Sequence, residues 1–326
     1  MRAVGVAILL VAGISSVPAV AQRTTTFETE TQAPQPQQVD RTTQADELRL
    51  HSDATERMTV PVHIAGTGPY RFLVDTGADR TAISHDVATR LGLVLGETAS
   101  LHSMTGISTV ETATVPNLQL SRSKMRIVDA PLLDAAKMGA DGILGTDSLH
   151  SQRLILDFEN NLMTIVPAEQ RVSPKDEGDI VVYGRMRNGR LIVTNAVADD
   201  NNITVVVDTG SQVTVGNEAL RRRLGKDALS RGGAVNIESV TGEILPGEYT
   251  WVKKLEMGGV TLKNLAVVFA DAHTFKRLGL DKRPALLLGM NALRAFKKVS
   301  IDFAHKKLRV MLPETGALET KMVAKL

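Results

Sequence analysis

Two aspartates follow apolar segments at two separate places in the chain. The tripeptide Asp-Thr-Gly ends both segment 72–77 and segment 205–210. A single copy is ordinary turn chemistry at the end of a strand and indicates little. Two copies can bring two carboxyl groups together. Such a pair, sharing one proton, can hydrolyse an amide without a metal, because one group accepts a proton from water while the other donates to the carbonyl. We therefore predict that Asp75 and Asp208 form a catalytic pair.

The sequence around these aspartates is repeated. A shift of 133 positions (208 − 75) aligns residues 75–92 with 208–225 without a gap. An apolar-apolar-Gly segment follows in both copies, at residues 142–145 and 286–289, and so does a glycine-containing turn, at residues 103–106 and 239–242. The turns are typical of β-hairpin tips. The chain is therefore predicted to contain two tandem copies of one β-rich unit.

This order of motifs resembles the retropepsin and pepsin aspartic proteases, and residues 75–81 are most similar to the retroviral form. The resemblance covers roughly residues 58–312. In single-lobe members two identical chains supply one aspartate each, whereas here one chain supplies both. The resemblance implies an all-β fold with few short helices, in which two pseudo-twofold lobes form barrels around a central active site. It also implies an aspartic endopeptidase that acts on polypeptides without a cofactor.

Residues beside the aspartates are expected to shape the pair. Glycine at positions 77 and 210 keeps the turn open, and the Thr76 and Thr209 hydroxyls can bond to the other lobe's backbone. Family members interlock these threonines beneath the pair. Ala78 offers no side-chain donor, whereas Ser211 can donate to Asp208. We therefore expect Asp208 to be the charged member, with the proton on Asp75.

The hairpin tips are candidate flaps that would close over a substrate, and an ordinary surface hairpin is the alternative. They comprise Met104, Thr105 and Gly106 in the first copy and Val240, Thr241 and Gly242 in the second. Ile143 and Leu287 match family positions that line substrate pockets, which implies an apolar preference, whereas Leu144 and Leu288 are expected in the core.

The chain departs from the family at two places. Neither hairpin tip carries the tyrosine found in pepsin. The arginine that follows the apolar-apolar-Gly motif in viral members is replaced by Thr146 and Met290. The salt bridge between that arginine and the position of Asp79 is therefore not expected.

Composition argues against other classes of function. Lysine plus arginine exceeds aspartate plus glutamate by two in 326 residues, and no long basic run supports nucleic-acid binding. None of the seven histidines has metal-ligand spacing, and the serine hydrolase motif Gly-x-Ser-x-Gly is missing from the sequence. Cysteine is absent, which precludes disulfides. Asp157 and Asp302 recur before phenylalanines at strand ends, and we interpret them as structural.

The ends of the chain suggest export. Residues 1–21 have the pattern of a secretory signal, with cleavage after Ala21, so a periplasmic or secreted protein is expected; an uncleaved anchor is the alternative. No further membrane span and no partner other than polypeptide substrate are expected, and the active unit should be a monomer. Residues 22–57 are predicted to be a disordered linker or an inhibitory pro-segment. Residues 58–167 and 185–313 are predicted to form the two lobes, residues 168–184 the connector between them, and residues 314–326 a tail.

Two further alternatives bear on function. Residues 312–316 match a cell-wall sorting pentapeptide, but neither an apolar segment nor a basic tail follows, so the match is attributed to chance. A catalytically silent peptide-binding or scaffolding module on the same fold is the rival hypothesis, because a fold does not guarantee an activity.

Overall fold

A computed structural model describes residues 59–120, 123–170, 180–224 and 232–313, and the backbone of three short strands before them. Those strands are β1 (Val6–Ile8), β2 (Leu10–Val11) and β3 (Thr42–Gln44). Apart from these strands, the predicted signal, linker and C-terminal tail lie outside the described residues, as does much of the connector. No described helix has the length and apolar character needed to cross a membrane.

The first lobe is built mainly of strands. They are β4 (Thr59–Ile64), β5 (Thr67–Val74), β6 (Ala82–Ser84), β7 (Val94–Leu95), β8 (Ala99–Ser103), β9 (Ile107–Val110), β10 (Thr112–Leu120), β11 (Ser123–Leu133), β12 (Gly142–Leu144), β13 (Gln152–Asp157) and β14 (Leu162–Pro167). The helices are α1 (His85–Arg90), α2 (Ala135–Met138) and α3 (Thr146–Leu149).

The second lobe repeats this arrangement. Its strands are β15 (Ile180–Tyr183), β16 (Arg185–Arg187), β17 (Arg190–Ala198), β18 (Asn201–Val207), β19 (Thr214–Gly216), β20 (Gly233–Ser239), β21 (Ile244–Met257), β22 (Val260–Phe269), β23 (Ala285–Leu288), β24 (Lys298–Asp302) and β25 (Lys307–Met311). Its helices are α4 (Glu218–Arg221), α5 (His273–Arg277) and α6 (Met290–Leu293).

Local sequence explains these elements. In β4, Val60, Val62 and Ile64 alternate with more exposed residues, which is the two-residue period of a strand with one buried face. Strands β17 and β18 meet at Asp199 and Asp200, which both have positive φ, as a tight hairpin turn requires.

Each lobe closes into a six-stranded barrel. The pairing order in the first lobe is β11-β6-β12-β5-β4-β10, and β10 returns to pair with β11. The order in the second lobe is β22-β19-β23-β18-β17-β21, and β21 returns to pair with β22. Corresponding strands occupy corresponding positions, and one large cluster of buried apolar side chains runs through both lobes. The predicted all-β, two-lobed fold is confirmed.

The lobes share a central sheet with the strand order β14-β13-β24-β25-β15. Strand β13 of the first lobe pairs antiparallel with β24 of the second, so that Arg153 lies opposite Asp302 and Asp157 opposite Lys298. Both pairs form salt bridges, at 2.9 and 3.1 Å. The carboxylates also accept turn N–H groups, from Asn160 in one hairpin and from the corresponding turn in the other. Asp157 and Asp302 therefore stabilise the two hairpins and the interface between the lobes, which agrees with the structural role predicted for them.

Candidate active site

The two aspartates leave the barrels at equivalent points. Strand β5 runs parallel to β12, and β18 runs parallel to β23. Each ladder extends one residue further, because the Asp75 N–H donates to the Leu144 carbonyl and the Asp208 N–H to the Leu288 carbonyl, both at 3.0 Å. The apolar-apolar-Gly segments thus hold the start of each Asp-Thr-Gly turn. Leu144 and Leu288 are buried core residues, as predicted.

The two carboxyl groups meet between the lobes. Asp75 and Asp208 are 0% and 5% exposed, and their side chains are hydrogen-bonded to each other. Oδ1 of Asp75 accepts the Gly77 N–H at 2.8 Å, and Oδ1 of Asp208 accepts the Gly210 N–H at 3.1 Å. A β-carbon on Gly77 would lie only 2.6 Å from Oδ1 of Asp208. Only glycine therefore allows the two turns to approach this closely.

The environment of the pair favours a shared proton. Burial raises the pKa of the Asp208 carboxyl above its ordinary value. The positive charge of Arg190, the N–H groups of Gly210 and Ser211, and the hydrogen bond with Asp75 act in the opposite direction. Because the two carboxyls are coupled, their titration belongs to the pair. A singly protonated pair is the state that can act as acid and base together.

The threonines interlock across the lobes, as the resemblance implies. The Thr76 hydroxyl donates to the Val207 carbonyl at 2.8 Å and accepts the Thr209 N–H at 3.0 Å. The Thr209 hydroxyl donates to the Val74 carbonyl at 2.7 Å and accepts the Thr76 N–H at 3.2 Å. All four groups are buried, so this reciprocal network fixes the distance between the two aspartate turns.

The expected role of Ser211 is wrong. Its hydroxyl donates to the Val213 carbonyl at 2.5 Å, and it is the backbone N–H of Ser211 that bonds to Asp208. A hydroxyl can donate only one hydrogen bond, and this one is donated within the turn rather than to Asp208. Ser211 and Ala78 are both fully buried. The assignment of the shared proton to Asp75 therefore loses its basis.

Arg190 is a site residue that the sequence prediction missed. Its side chain is completely buried, and its Nε donates to the Gly77 carbonyl at 2.8 Å. Its guanidinium also forms a salt bridge with Asp79 and donates to the Asn188 carbonyl at 3.3 Å. A cation from the second lobe thus holds the first lobe's active-site turn, and it supplies Asp79 with the partner that Thr146 cannot provide.

A sequence signal for Arg190 does exist. Arg190 precedes Asp208 by 18 positions (208 − 190), and Arg57 precedes Asp75 by the same number (75 − 57). An arginine is therefore part of the repeat. Arg57 itself lies outside the described residues.

A second missed feature supports both turns from behind. Oδ1 of Asp147 accepts the Thr81 N–H and hydroxyl at 2.9 and 2.7 Å. Oδ1 of Asn291 accepts the same two groups of Thr214 at 2.8 and 2.7 Å. Each threonine hydroxyl also accepts the N–H of the apolar-apolar-Gly glycine at 3.1 Å. Thr81 and Thr214 are identities of the repeat, but their partners differ in type, which hides the relation in the sequence.

Both predicted flaps are hairpins, formed by β8 with β9 and by β20 with β21. Each tip reaches into the opposite lobe. Met104 of the first flap is buried in an apolar cluster with Leu287, and Val240 of the second flap is buried in a cluster with Ile143. The structure therefore brings each predicted pocket residue against the flap of the other lobe.

The two tips also contact each other. The carboxylate of Glu243, next to the second tip, accepts the Thr105 hydroxyl of the first flap, and the Thr241 hydroxyl lies 3.5 Å from it. Gly242 has a φ of 82°, a conformation that favours glycine. In the first flap, the Gly106 carbonyl accepts the Ser103 N–H at 2.8 Å and closes a tight turn. The two hairpin tips therefore contact each other as well as the opposite lobes.

Among the residues that the structure describes, no cluster of three or more acidic, histidine or cysteine side chains could hold a metal ion. The described site instead consists of two carboxyls, backbone donors and one buried guanidinium.

Comparison with known families agrees with this geometry. Residues 60–151 match the family described as "gag-polyprotein putative aspartyl protease", and residues 193–292 match the family described as "Aspartyl protease". The chain therefore belongs to the retropepsin-like aspartic proteases, with two protease domains in tandem. No curated protein sequence matches the chain at a significant level.

Several solved structures are similar in part. A retropepsin-like aspartic protease from Rickettsia conorii is 19% identical, with 41% of this chain and 93% of that chain covered and a TM-score of 0.26. An aspartic proteinase from Irpex lacteus is 13% identical, with 79% and 95% covered and a TM-score of 0.44. Basic 7S globulin from soybean is 10% identical, with 83% and 95% covered and a TM-score of 0.37.

Proposed function

We propose that this chain is a single-chain aspartic endopeptidase in which Asp75 and Asp208 activate one water molecule. The observation that carries the proposal is the buried, hydrogen-bonded carboxyl pair held by the threonine interlock between the lobes. A merely structural pair of buried acids would be costly, because two adjacent buried carboxylates repel each other and the one nearby guanidinium is already paired with Asp79. Such pairs recur where function requires a shifted pKa.

The reaction follows from the charge state of the pair. The ionised carboxylate accepts a proton from water as the water oxygen bonds to the carbonyl carbon. The protonated carboxyl donates its proton to the carbonyl oxygen, which gives a neutral tetrahedral intermediate. Its collapse breaks the carbon–nitrogen bond as the leaving nitrogen takes a proton from one carboxyl and the other carboxyl receives the hydroxyl proton. The pair thereby returns to its singly protonated state.

The flaps support an apolar preference. Substrate must displace Met104 and Val240 from the two apolar clusters before its own side chains can contact Leu287 and Ile143. Apolar substrate side chains restore the buried contacts that the flap tips give up, and a large one contributes about 1.5–3 kcal/mol. We therefore propose cleavage between apolar residues, by a monomer that is exported and acts outside the cytoplasm.

The decisive experiment is turnover of a peptide library by the purified protein, with cleavage sites read by mass spectrometry. We expect cleavage between apolar residues and a loss of at least about 10³-fold in turnover for Asp75→Asn and for Asp208→Asn. Arg185→Gln, an exposed change on β16, is the matched control and should retain activity.

Three outcomes would each contradict part of the proposal. Near-normal turnover in a folded Asp75→Asn or Asp208→Asn variant would exclude the pair as the catalyst. Tight peptide binding without any cleavage by the unmutated chain would identify the silent binding module instead. Loss of activity on dilution, with a fall in mass, would show that the active unit is not a monomer.

A further inference from the structure

The first flap is fastened to the second lobe by two histidines. Nδ1 of His102, on β8, lies 2.9 Å from Nε2 of His273, the first residue of α5. Their ring planes are nearly parallel, at 15°, and their centroids lie 5.2 Å apart, as expected for two rings joined edge to edge by this contact. A hydrogen bond between two imidazoles needs one N–H and one lone pair, so at least one ring must be neutral.

The same helix holds the flap tip itself. The His273 N–H donates to the Met104 carbonyl at 2.8 Å, and the Thr274 hydroxyl lies 3.0 Å from the Met104 sulfur. The Met104 side chain is buried in the second lobe's apolar cluster, which includes Phe275 of this helix. If α5 and β8 separate, these contacts are lost together. The imidazole pair thus lies where a change in its charge would act on the closed position of the flap.

We propose that the pair formed by His102 and His273 is a pH-sensitive latch, which keeps the first flap closed while at least one ring is neutral and releases it when both rings are protonated. The proposal concerns regulation of the catalytic cleft and therefore rests on the proposed protease function for its purpose. The latch itself is a property of the fold.

The surrounding charges make the doubly protonated pair unfavourable. Burial is the main cause of a lowered pKa at both histidines; the charge of Arg277 also lowers both, and Lys276 lowers that of His273. Asp271 acts in the opposite direction on His273, but its carboxylate is paired with Lys276 at 2.8 Å.

Neither the adjacent strand β9 nor Asp79 offsets this. Strand β9, which pairs with β8 beside His102, consists of the uncharged residues Ile107–Val110. Asp79 is an acidic group of the first lobe that interacts with Arg277, and its salt bridge is with Arg190. Two imidazolium ions would therefore face each other beside the positive charge of Arg277.

The direction of the pH effect follows from linkage. In an open flap the imidazoles regain water and their ordinary pKa near 6.5, whereas the pKa of both is lower in the closed flap. The closed state binds fewer protons, so its population falls as pH drops below about 6.5. Acid thus opens the cleft in the range where a shared-proton carboxyl pair is active.

The second flap provides a natural control. It is held by Lys137 of α2, whose Nζ donates to the Thr241 carbonyl at 3.1 Å. A lysine ammonium does not lose its charge in mildly acidic solution. The latch hypothesis therefore predicts pH-dependent opening at Met104 and a much weaker effect at Val240.

The test uses thiol labelling, since the chain contains no cysteine. Met104→Cys and Val240→Cys place single thiols at the two buried tips, and Ile107→Cys places one at a position that is 61% exposed. The rate of reaction with N-ethylmaleimide is measured at pH 7.5 and pH 5 and divided by the rate at Ile107→Cys, which corrects for thiol ionisation. We expect the ratio for Met104→Cys to rise about tenfold in acid, the change that one pKa unit produces, and that for Val240→Cys less than about twofold.

A His102→Gln/His273→Gln background supplies the matched control, because two amides can hydrogen-bond but do not titrate. There the Met104→Cys ratio should be independent of pH, with folding checked by circular dichroism. A flat ratio in the histidine background, or an equal rise in the glutamine background, would overturn the latch. Because labelling needs no turnover, either result is independent of whether the chain cleaves peptides.

Discussion

The two lobes share their hydrogen-bond network but differ in their charges. Both use interlocked threonines, a threonine behind the turn, and a flap tip buried in the opposite lobe. Behind the first turn lie Asp79, Arg80 and Asp147, whereas Gln212, Val213 and Asn291 occupy the same places in the second. The backbone geometry is thus the same in both lobes where the carboxyls meet, whereas the charged residues behind the two turns differ.

The largest expected effect comes from removing Arg190, the fully buried cation beside the first turn. Arg190→Met leaves Asp79 without its guanidinium partner, and loss of one member of a buried ion pair costs about 3–5 kcal/mol. Urea unfolding should show this loss, while Arg187→Met, an exposed change on β16, should cost less than about 0.5 kcal/mol.

Arg190 should also affect the pH profile. Its charge lowers the pKa of Asp208, so its removal should move the alkaline limb of the rate profile to higher pH. Arg190→Lys, which keeps the charge but loses the planar donor set, should shift the limb less. An unchanged alkaline limb in a folded Arg190→Met protein would show that this charge does not reach the pair.

Asp147 and Asn291 accept the hydrogen bonds of the threonine behind each turn, and exchanging the two residue types tests how much each contributes to stability. In Asn291→Asp, a fully charged group replaces a buried amide whose Nδ2 donates to the Ala266 carbonyl at 2.9 Å, and we expect a loss of about 2–3 kcal/mol. Asp147→Asn, at a more exposed site, loses only its ion pair with Arg80 and should cost less than about 1 kcal/mol. Equal losses by chemical denaturation would show that the two supports are energetically alike.

The pKa of Asp208 predicts how stability depends on pH. Since burial raises this pKa, the folded state binds more protons than the unfolded state above the ordinary carboxyl pKa, and stability falls as pH rises through the raised value. Asp208→Asn removes this dependence. From pH 4 to pH 7 the variant should therefore gain stability relative to the original chain, measured by urea unfolding at each pH. Unfolding curves that keep a constant separation across this range would contradict it.

The smallest effect concerns the second flap. Lys137→Met removes an exposed bond to the Thr241 carbonyl, which should change global stability by less than about 0.5 kcal/mol. The labelling rate at Val240→Cys should nevertheless rise by about twofold, since the bond acts on flap opening alone. No change at Val240→Cys would assign the closed position of this flap to its apolar contacts.

Much of the site could be predicted because the motif is repeated. Doubling of Asp-Thr-Gly identified Asp75 and Asp208, and the glycine turns identified both flap tips. The features that were missed depend on tertiary contacts: Arg190 and Asp79 are 111 residues apart (190 − 79), and His102 and His273 are 171 apart. The predicted role of Ser211 is wrong because its hydroxyl donates to the Val213 carbonyl, a contact that depends on the backbone geometry of the turn.

The central sheet has a consequence for ancestry and engineering. Along β13 a cation, Arg153, precedes an anion, Asp157, by four residues, and along β24 Lys298 precedes Asp302 by the same spacing. Antiparallel pairing aligns cation with anion at both ends, and it would do so equally between two copies of either strand. Each lobe therefore carries an edge that is complementary to itself. A lobe produced alone has the charge pattern of a homodimer, and the connector between the lobes turns that symmetric association into an intramolecular one.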